Sequence, residues 1–277
     1  MFADDTSVVI ETKDINDFET RLNAVLKIMI NWFKANKLSL NLDKTNVIKF
    51  LTYRAGNNIT HVEHDGRFLE NVISTKFLGL HIDKHLNWKE HIEHITPKLS
   101  SACYAIRSLS AINCLNTLKS VYFAYFHSLM RYGVIFWGNS VDSKYIFILQ
   151  KKTIRIMAGV NKRNSCRNLF RDYQILTLPC EYIYSLMAFY FKNRDKFTSN
   201  VQIHDINTRR RHDLHMPSAS LTCFQKGVYF ECIKIFNSLP KEIKSLTSNA
   251  KAFKTALRKY LYVKAFYSID EFISDSS

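Results

Sequence analysis

Phe2-Ala3-Asp4-Asp5-Thr6, followed at once by the apolar run Ser7-Val8-Val9-Ile10, poses the first question of this 277-residue chain. Two adjacent carboxylates in a tight acidic turn suit a divalent metal, because hard cations such as Mg2+ take oxygen ligands. Phosphoryl-transfer sites use two such ions, roughly 4 Å apart, to clamp the attacking and leaving oxygens. Asp4 and Asp5 are therefore candidate catalytic and metal-ligating residues, with Ser7 to Ile10 as the strand behind them. The same tetrapeptide also fits an ordinary turn or a helix cap, places that aspartate favours equally. The segments that follow decide between these readings.

Phe18, Leu22, Val25, Met29, Trp32 and Phe33 recur at helical spacing, so one stripe can pack beneath a sheet while Lys27, Lys34 and Glu19 face water. The loop Asn36-Lys37-Leu38-Ser39-Leu40-Asn41-Leu42-Asp43-Lys44-Thr45 then leads into a strand from Val47 to Tyr53. Ile59 to Val62, the turn residues Asp65-Gly66 and Phe68-Leu69 form a hairpin that pairs with it. Thr75-Lys76-Phe77-Leu78-Gly79-Leu80-His81-Ile82-Asp83 is a further apolar strand region, with Leu86-Asn87-Trp88 just after it. Gly79 marks a bulge there or lets a nucleic-acid backbone approach closely, since a residue without Cβ removes the steric barrier to both. The sum is a small mixed or antiparallel sheet with a helix under it.

In this order and spacing, the pieces resemble the palm of a reverse transcriptase of the non-LTR retrotransposon type related to jockey. Phe2-Ala3-Asp4-Asp5 is similar to the aromatic-Ala-Asp-Asp catalytic turn, and the stretch ending in Lys44-Thr45 to the Leu-Asn-x-x-Lys-Thr loop. Phe77-Leu78-Gly79 is similar to the hairpin that grips the primer end. The resemblance implies an α+β chain: residues 1–95 as the rear part of the palm, from catalytic turn to primer-grip hairpin, and residues 96–277 as a mainly α-helical thumb and basic C-terminal region. It implies that Asp4 and Asp5 hold Mg2+, that Lys44 stands beside the leaving pyrophosphate as proton donor, and that Leu78 and Gly79 lie against the primer. Read without it, Lys44 is a solvated loop lysine. The implied partners are an RNA template and a DNA primer, with deoxynucleotides only in the complete enzyme. The first strand of the catalytic hairpin, another metal-binding aspartate and the fingers would all precede Met1. The chain alone is therefore expected to be inactive, with weak or absent Mg2+ binding.

Charge divides the chain: residues 1–95 hold 12 Lys/Arg and 13 Asp/Glu, the remainder 27 and 11, within a net charge of +15. A polyanion gains from such a field through counterion release, which points to nucleic acid. Residues 96–277 read as helical. Trp88, Ile92, Ile95, Leu99, Ala102, Ile106 and Leu109 alternate steps of four and three, interrupted at Thr96-Pro97, where a new helix is expected with Thr96 as cap. Leu115, Leu118, Tyr122, Tyr125, Leu129 and Tyr132 repeat the spacing until Gly133 and Gly138-Asn139 stop it. Leu129-Met130-Arg131-Tyr132-Gly133 through Trp137-Gly138 resembles the family's thumb.

Lys151, Lys152 and Arg155 place bases on one helix face, and Thr208-Arg209-Arg210-Arg211-His212 is the sharpest basic run. Arginine suits bidentate phosphate recognition. A solvated helix face, an exposed loop or a nuclear-localisation run would read the same. Phe253, Leu257, Tyr260 and Leu261 mark a last helix, and the acidic tail Ser268 to Ser277 is expected to fray. The six cysteines contain no Cys-x-x-Cys pair, so no zinc ribbon is expected. No apolar run approaches the roughly 18 residues of a membrane helix, so the chain reads as intracellular, nuclear or cytoplasmic, with reduced thiols. Two functions stand open: a fragment of an RNA-directed DNA polymerase, or a non-enzymatic basic nucleic-acid-binding relic or host protein derived from a retrotransposon. A purely structural helical domain is a third.

Overall fold

The computed structural model describes residues 6–12, 15–50, 63–64, 67–111, 114–203, 211 and 213–275. The chain is α+β and mainly helical, and it divides between Leu86 and Asn87 into two units.

In the first unit, α1 (Ile15–Ala35) half-buries Phe18, Leu22, Val25, Met29 and Phe33 and buries Ile30, while Lys27 and Lys34 are exposed. Trp32, expected on the stripe, is exposed. At about 100° per residue it lies roughly 200° around the helix from Ile30, on the far side. Among the described residues six short strands follow: β1 (Asn46–Val47), β2 (Glu63–His64), β3 (Arg67–Phe68), β4 (Glu70–Asn71), β5 (Ser74–Phe77) and β6 (Leu80–Asp83). They form three two-stranded pairs: β1 runs parallel to β4, β2 antiparallel to β3, and β5 antiparallel to β6. His64 pairs with Arg67 on either side of Asp65-Gly66. Those two residues, like the expected strand at Ile59 to Val62, lie outside the described residues. Ser7 to Ile10, expected as a strand, forms none: residues 6–12 are irregular and Val9 is 91% exposed. A strand exists by its pairing, and no described segment pairs with this run.

The second unit holds most of the core. Its helices are α2 (Lys89–Ser110), α3 (Leu115–Val121), α4 (Ser128–Arg131), α5 (Val134–Trp137), α6 (Ser143–Met157), α7 (Arg167–Tyr173), α8 (Leu178–Lys192), α9 (Asn200–Ile203), α10 (Thr222–Gln225), α11 (Val228–Asn237), α12 (Lys241–Lys244), α13 (Ala250–Lys264) and α14 (Ile269–Asp275). The α2 stripe Ile92, Ile95, Leu99, Ala102 and Ile106 is buried as its spacing predicts, and α2 packs along α6. Yet no new helix starts at Pro97, which lies inside α2. The missing N–H removes the donor that would reach the Glu93 carbonyl, but burial on both sides of Pro97 outweighs that local cost of about 3 kcal/mol. The Thr96 hydroxyl, far from capping, donates back to the Ile92 carbonyl at 2.6 Å.

A π-helical turn, Tyr122–His127, joins α3 to α4 and shifts the second stripe. Leu118, Tyr122, Phe126, Met130 and Val134 are buried in steps of four, whereas Tyr125 and Tyr132, expected inside, are exposed. The wider π turn brings every fourth residue to the same side where an α-helix would alternate three and four. Gly138 then sits against α8: a Cβ there would lie 2.6 Å from Tyr182 Cδ2 and 2.7 Å from the Val134 carbonyl oxygen. On α13, Phe253, Leu257 and Leu261 are fully buried. It is not the last helix.

The tail expected to fray is instead helical through Asp275, as α14. Phe272 is fully buried against Phe266, the Ser268 hydroxyl accepts from the Glu271 N–H, Arg167 pairs with Glu271, and Lys264 donates to Asp275 at 2.6 Å. A single aromatic anchor and two ion pairs overcome the tail's polar composition. Hydrogen bonds from Arg167 and from Lys264 hold the Glu271 and Asp275 carboxyls below the ordinary carboxylate range.

Two outcomes are expected. Pro97→Ala restores a helical donor in a continuous helix and should raise the thermal midpoint by several degrees, up to about 3 kcal/mol. No gain on calorimetry would mean that a break at residue 97 is the better description. Because the Glu271 and Asp275 pKa values are depressed on folding, their stabilisation is present above about pH 4 and lost as pH falls below it. Hydrogen-exchange protection of residues 269–275 should drop on acidification before that of α2. Equal loss in both would refute a pH-gated tail.

Candidate nucleic-acid interface

Lys44 closes a 3-10 turn, Leu42–Lys44, between α1 and β1. The turn is fixed by its backbone and by the Thr45 hydroxyl, which donates to the Asn41 carbonyl at 2.7 Å, and the Lys44 side chain is exposed. Leu78 and Gly79 form the two-residue connection between β5 and β6, with Phe77 paired to Leu80 across it. Their φ values are 45° and 83°. Two left-handed residues in succession make a tight hairpin turn whose twist matches the flanking strands. Gly79 is therefore a turn corner, and the strand bulge expected there is absent. Leucine at the first corner is the anomaly, since a left-handed non-glycine residue costs about 1 kcal/mol. Its side chain and that of Phe77 are both exposed at the tip.

Below the hairpin, the Asp83 carboxylate is buried and accepts from the His85 N–H at 2.9 Å. Leu86 and Trp88 are also left-handed, and Asn87 between them accepts from the Lys89 N–H at 3.0 Å to start α2. Trp88 stacks on Phe136 at 6.0 Å between ring centres.

On α6 the three predicted basic residues part company. Lys151 lies over the Phe147 ring at 4.7 Å, Arg155 Nε donates to the Asn164 carbonyl at 2.8 Å, and Lys152 is exposed. Arg155 thus holds the turn after α6. Arg211 is exposed, and its carbonyl accepts from the Val201 N–H at 3.0 Å. Arg209 and Arg210 lie outside the described residues, as do Phe2, Ala3, Asp4 and Asp5, so the acidic turn is not placed. No group of three or more acidic, histidine or cysteine side chains among the described residues could hold a metal ion. Cys180 and Cys232 are fully buried core residues, and burial pushes their thiols up to about 12.

Sequence reading missed a basic groove on the second unit. Arg194, Lys234, Lys241 and Lys244 line a cavity of about 1470 Å³ together with Asp213 and His215. Lys241 and Lys244 are the two ends of α12, and folding brings Arg194 and Lys234 to them. The first unit, 1–86, holds 11 basic and 11 acidic residues, so the whole net charge of +15 belongs to residues 87–277.

Three curated relatives, all from Drosophila melanogaster, match this chain. It is 28% identical to the RNA-directed DNA polymerase from mobile element jockey over 182 residues, 63% of this chain and 19% of the relative. It is 25% identical to the probable RNA-directed DNA polymerase from transposon BS over 183 residues, 64% of this chain and 20% of the relative. For the probable RNA-directed DNA polymerase from transposon X-element the identity is 24%, with the same coverage. The chain is thus similar to RNA-directed DNA polymerases of non-LTR retrotransposons, the resemblance its motifs carry. It spans about a fifth of the length of the curated relatives it matches. No protein-family profile and no solved structure matches it.

Leu78→Gly should relieve the strained corner and stabilise the β5–β6 hairpin by about 1 kcal/mol. Unchanged or lower protection of the Ser74–Asp83 amides in hydrogen exchange would show that Leu78 packing outweighs the backbone term.

Proposed function

We propose that this chain is derived from a jockey-like RNA-directed DNA polymerase and contributes the rear of its palm, residues 1–95, and its thumb with the basic region after it, residues 96–277. In the complete enzyme a DNA strand is extended on an RNA template. Asp4 and Asp5 hold Mg2+ there, Lys44 protonates the leaving pyrophosphate, and Leu78 with Gly79 bears on the primer end. The hairpin tip carries this reading: an exposed leucine kept in a left-handed corner at a cost is the kind of strain that persists where a site uses it. Lys44, exposed on a turn fixed by backbone bonds, is free to reach a phosphate. The metals need oxygen ligands beyond two neighbouring aspartates, so synthesis is assigned to the complete enzyme and not to these residues alone.

A second reading, a non-enzymatic nucleic-acid binder descended from such a polymerase, is favoured by one observation: the entire charge excess belongs to residues 87–277, whereas Asp4, Asp5 and Lys44 belong to the sequence before them. Lys151, Lys152, Arg155 and Arg209 to Arg211 are the phosphate contacts first expected for it. Both readings place the protein inside the cell. No described helix is long and apolar enough to cross a membrane.

Primer extension on an RNA template decides between the two, using this sequence joined to the upstream palm and fingers of a jockey-like polymerase. Asp4→Ala or Asp5→Ala should abolish incorporation, and Lys44→Ala should slow it by about 10²-fold or more with primer binding retained. Full synthesis by the aspartate variants would sink the polymerase assignment. Binding without any incorporation by the joined wild-type protein would favour the second reading.

A further inference from the structure

The groove on the second unit is built, and nothing in the catalytic reading uses it. One wall is the segment after α8. Arg194 lies over Phe191 and Tyr190, its guanidinium 5.2 and 5.7 Å from the ring centres, contacts that hold its charge at this wall. The other wall is α11 and α12, with Lys234 and Lys241. The floor is tied across the sequence: Asn237 exchanges two 2.8 Å hydrogen bonds with the backbone of Leu214, and Lys244 Nζ reaches Asp213 at 2.8 Å and the Asn237 carbonyl at 2.7 Å. Backbone bonds from Asn200 to Asp213 and from His215 to Thr198 close the near end.

Its chemistry selects the ligand. Among the described residues lining it, four cations face one carboxylate, Asp213, which Lys244 already neutralises; Lys234 also stands 3.8 Å from Glu231, and Arg194 and Lys241 are left with their full charge. An anion is required. At about 1470 Å³ the groove exceeds the roughly 300–1,000 Å³ of small-molecule pockets, so it suits a length of polymer. The aromatic residues lining it, Tyr190, Phe197 and Phe236, are buried in contacts with one another, so no stacking face is offered to bases. Charged groups and neutral donors such as Asn200, Gln202 and Ser245 remain.

We infer that this groove binds the phosphodiester backbone of a polynucleotide without reading its bases, with Arg194, Lys234 and Lys241 as the phosphate contacts. This rests on the reading of the chain as a polymerase-derived nucleic-acid-handling protein, and it gives the helical unit an anchoring site of its own. Lys244 is a positioning residue that shapes the floor.

The test is fluorescence anisotropy of the full 277-residue chain with a labelled 20-nucleotide single strand and, separately, a 20-base-pair duplex, across a salt series. The double variant R194E/K241E changes two exposed side chains. K98E/K259E removes the same charge at exposed positions outside the groove. The groove variant should lose tenfold or more in affinity relative to that control. The slope of log affinity against log salt should fall by about 1.4 for the single strand or 1.8 for the duplex. Whichever ligand shows the larger loss is the backbone form bound. R194Q/K241Q should give a smaller loss in the same direction, with an unchanged thermal midpoint. If the wild type binds but groove and control variants weaken equally, the groove assignment is overturned and the polymerase-derived reading stands. If the wild type binds neither ligand at low salt, that reading fails and takes the groove with it.

Discussion

Gln150 is the constraint on which the helical unit depends. It is fully buried on α6, and burying an amide without partners costs about 1–3 kcal/mol, so its position is tolerable only because its bonds are made. Its amide nitrogen donates to Tyr122 Oη and to the Leu176 carbonyl, both at 2.9 Å, and its oxygen accepts from the Leu178 N–H at 2.8 Å. One side chain thereby fixes the π turn, α6 and the first residue of α8. Thr177, next in the same strap, caps α8 by accepting from the Cys180 N–H, while its hydroxyl donates to the Phe266 carbonyl at 2.6 Å. The end of the chain is bound to the same point. From there α8 runs on to meet α11 and α13 and ends just before Arg194, so the groove's walls inherit their spacing from a buried glutamine.

Elements carried by one helix's own periodicity were legible in the sequence. Ile92, Leu99 and Ile106 are buried because steps of three and four return to one face, and no partner needs to be known to say so. Errors arose where a non-local partner overrode a local rule. Pro97 reads as a helix start on its own, yet the packing on either side of it carries the helix through. Ser268 to Ser277 reads as a solvated tail because its three large apolar residues, Ile269, Phe272 and Ile273, stand among acids and serines. The pocket that receives Phe272 is assembled by Phe266 and α8 and has no local signature. The π turn is similar: Tyr125 against Phe126 is a choice of one residue in register, and the α-helical ruler picks the wrong one.

For the site, motif and geometry carried different information. Lys44 and the Leu78-Gly79 tip were visible as words in the sequence, and structure added the conformation that gives Leu78 its strain. Arg155 and Lys151 were visible as charges, but structure engages one with a carbonyl and the other with an aromatic ring. Arg194 and Lys241 were invisible. They are 47 residues apart, each in an unexceptional context, and the packing of α8 on α11 together with the tie between Asn237 and Leu214 makes them neighbours on one cavity.

The helical unit's field follows from what its carboxylates are doing. Glu181 is buried beneath the π turn, 3.3 Å from His127 and 2.9 Å from Arg131. Glu231 is buried too, 3.8 Å from Lys234, and burial raises its pKa. Asp213, Glu271 and Asp275 are engaged by Lys244, Arg167 and Lys264. Carboxylates matched this way hold helices together and project little field, since each is cancelled within a few ångströms. Exposed cations such as Lys152, Arg194 and Lys241 are left to set the surface potential. Screening acts within about 10 Å at 0.1 M salt, so this potential acts on a polyanion close to the surface and fades as salt rises. Matched carboxylates therefore fix the bundle, and the excess of cations over acids within residues 87–277 leaves this unit net positive.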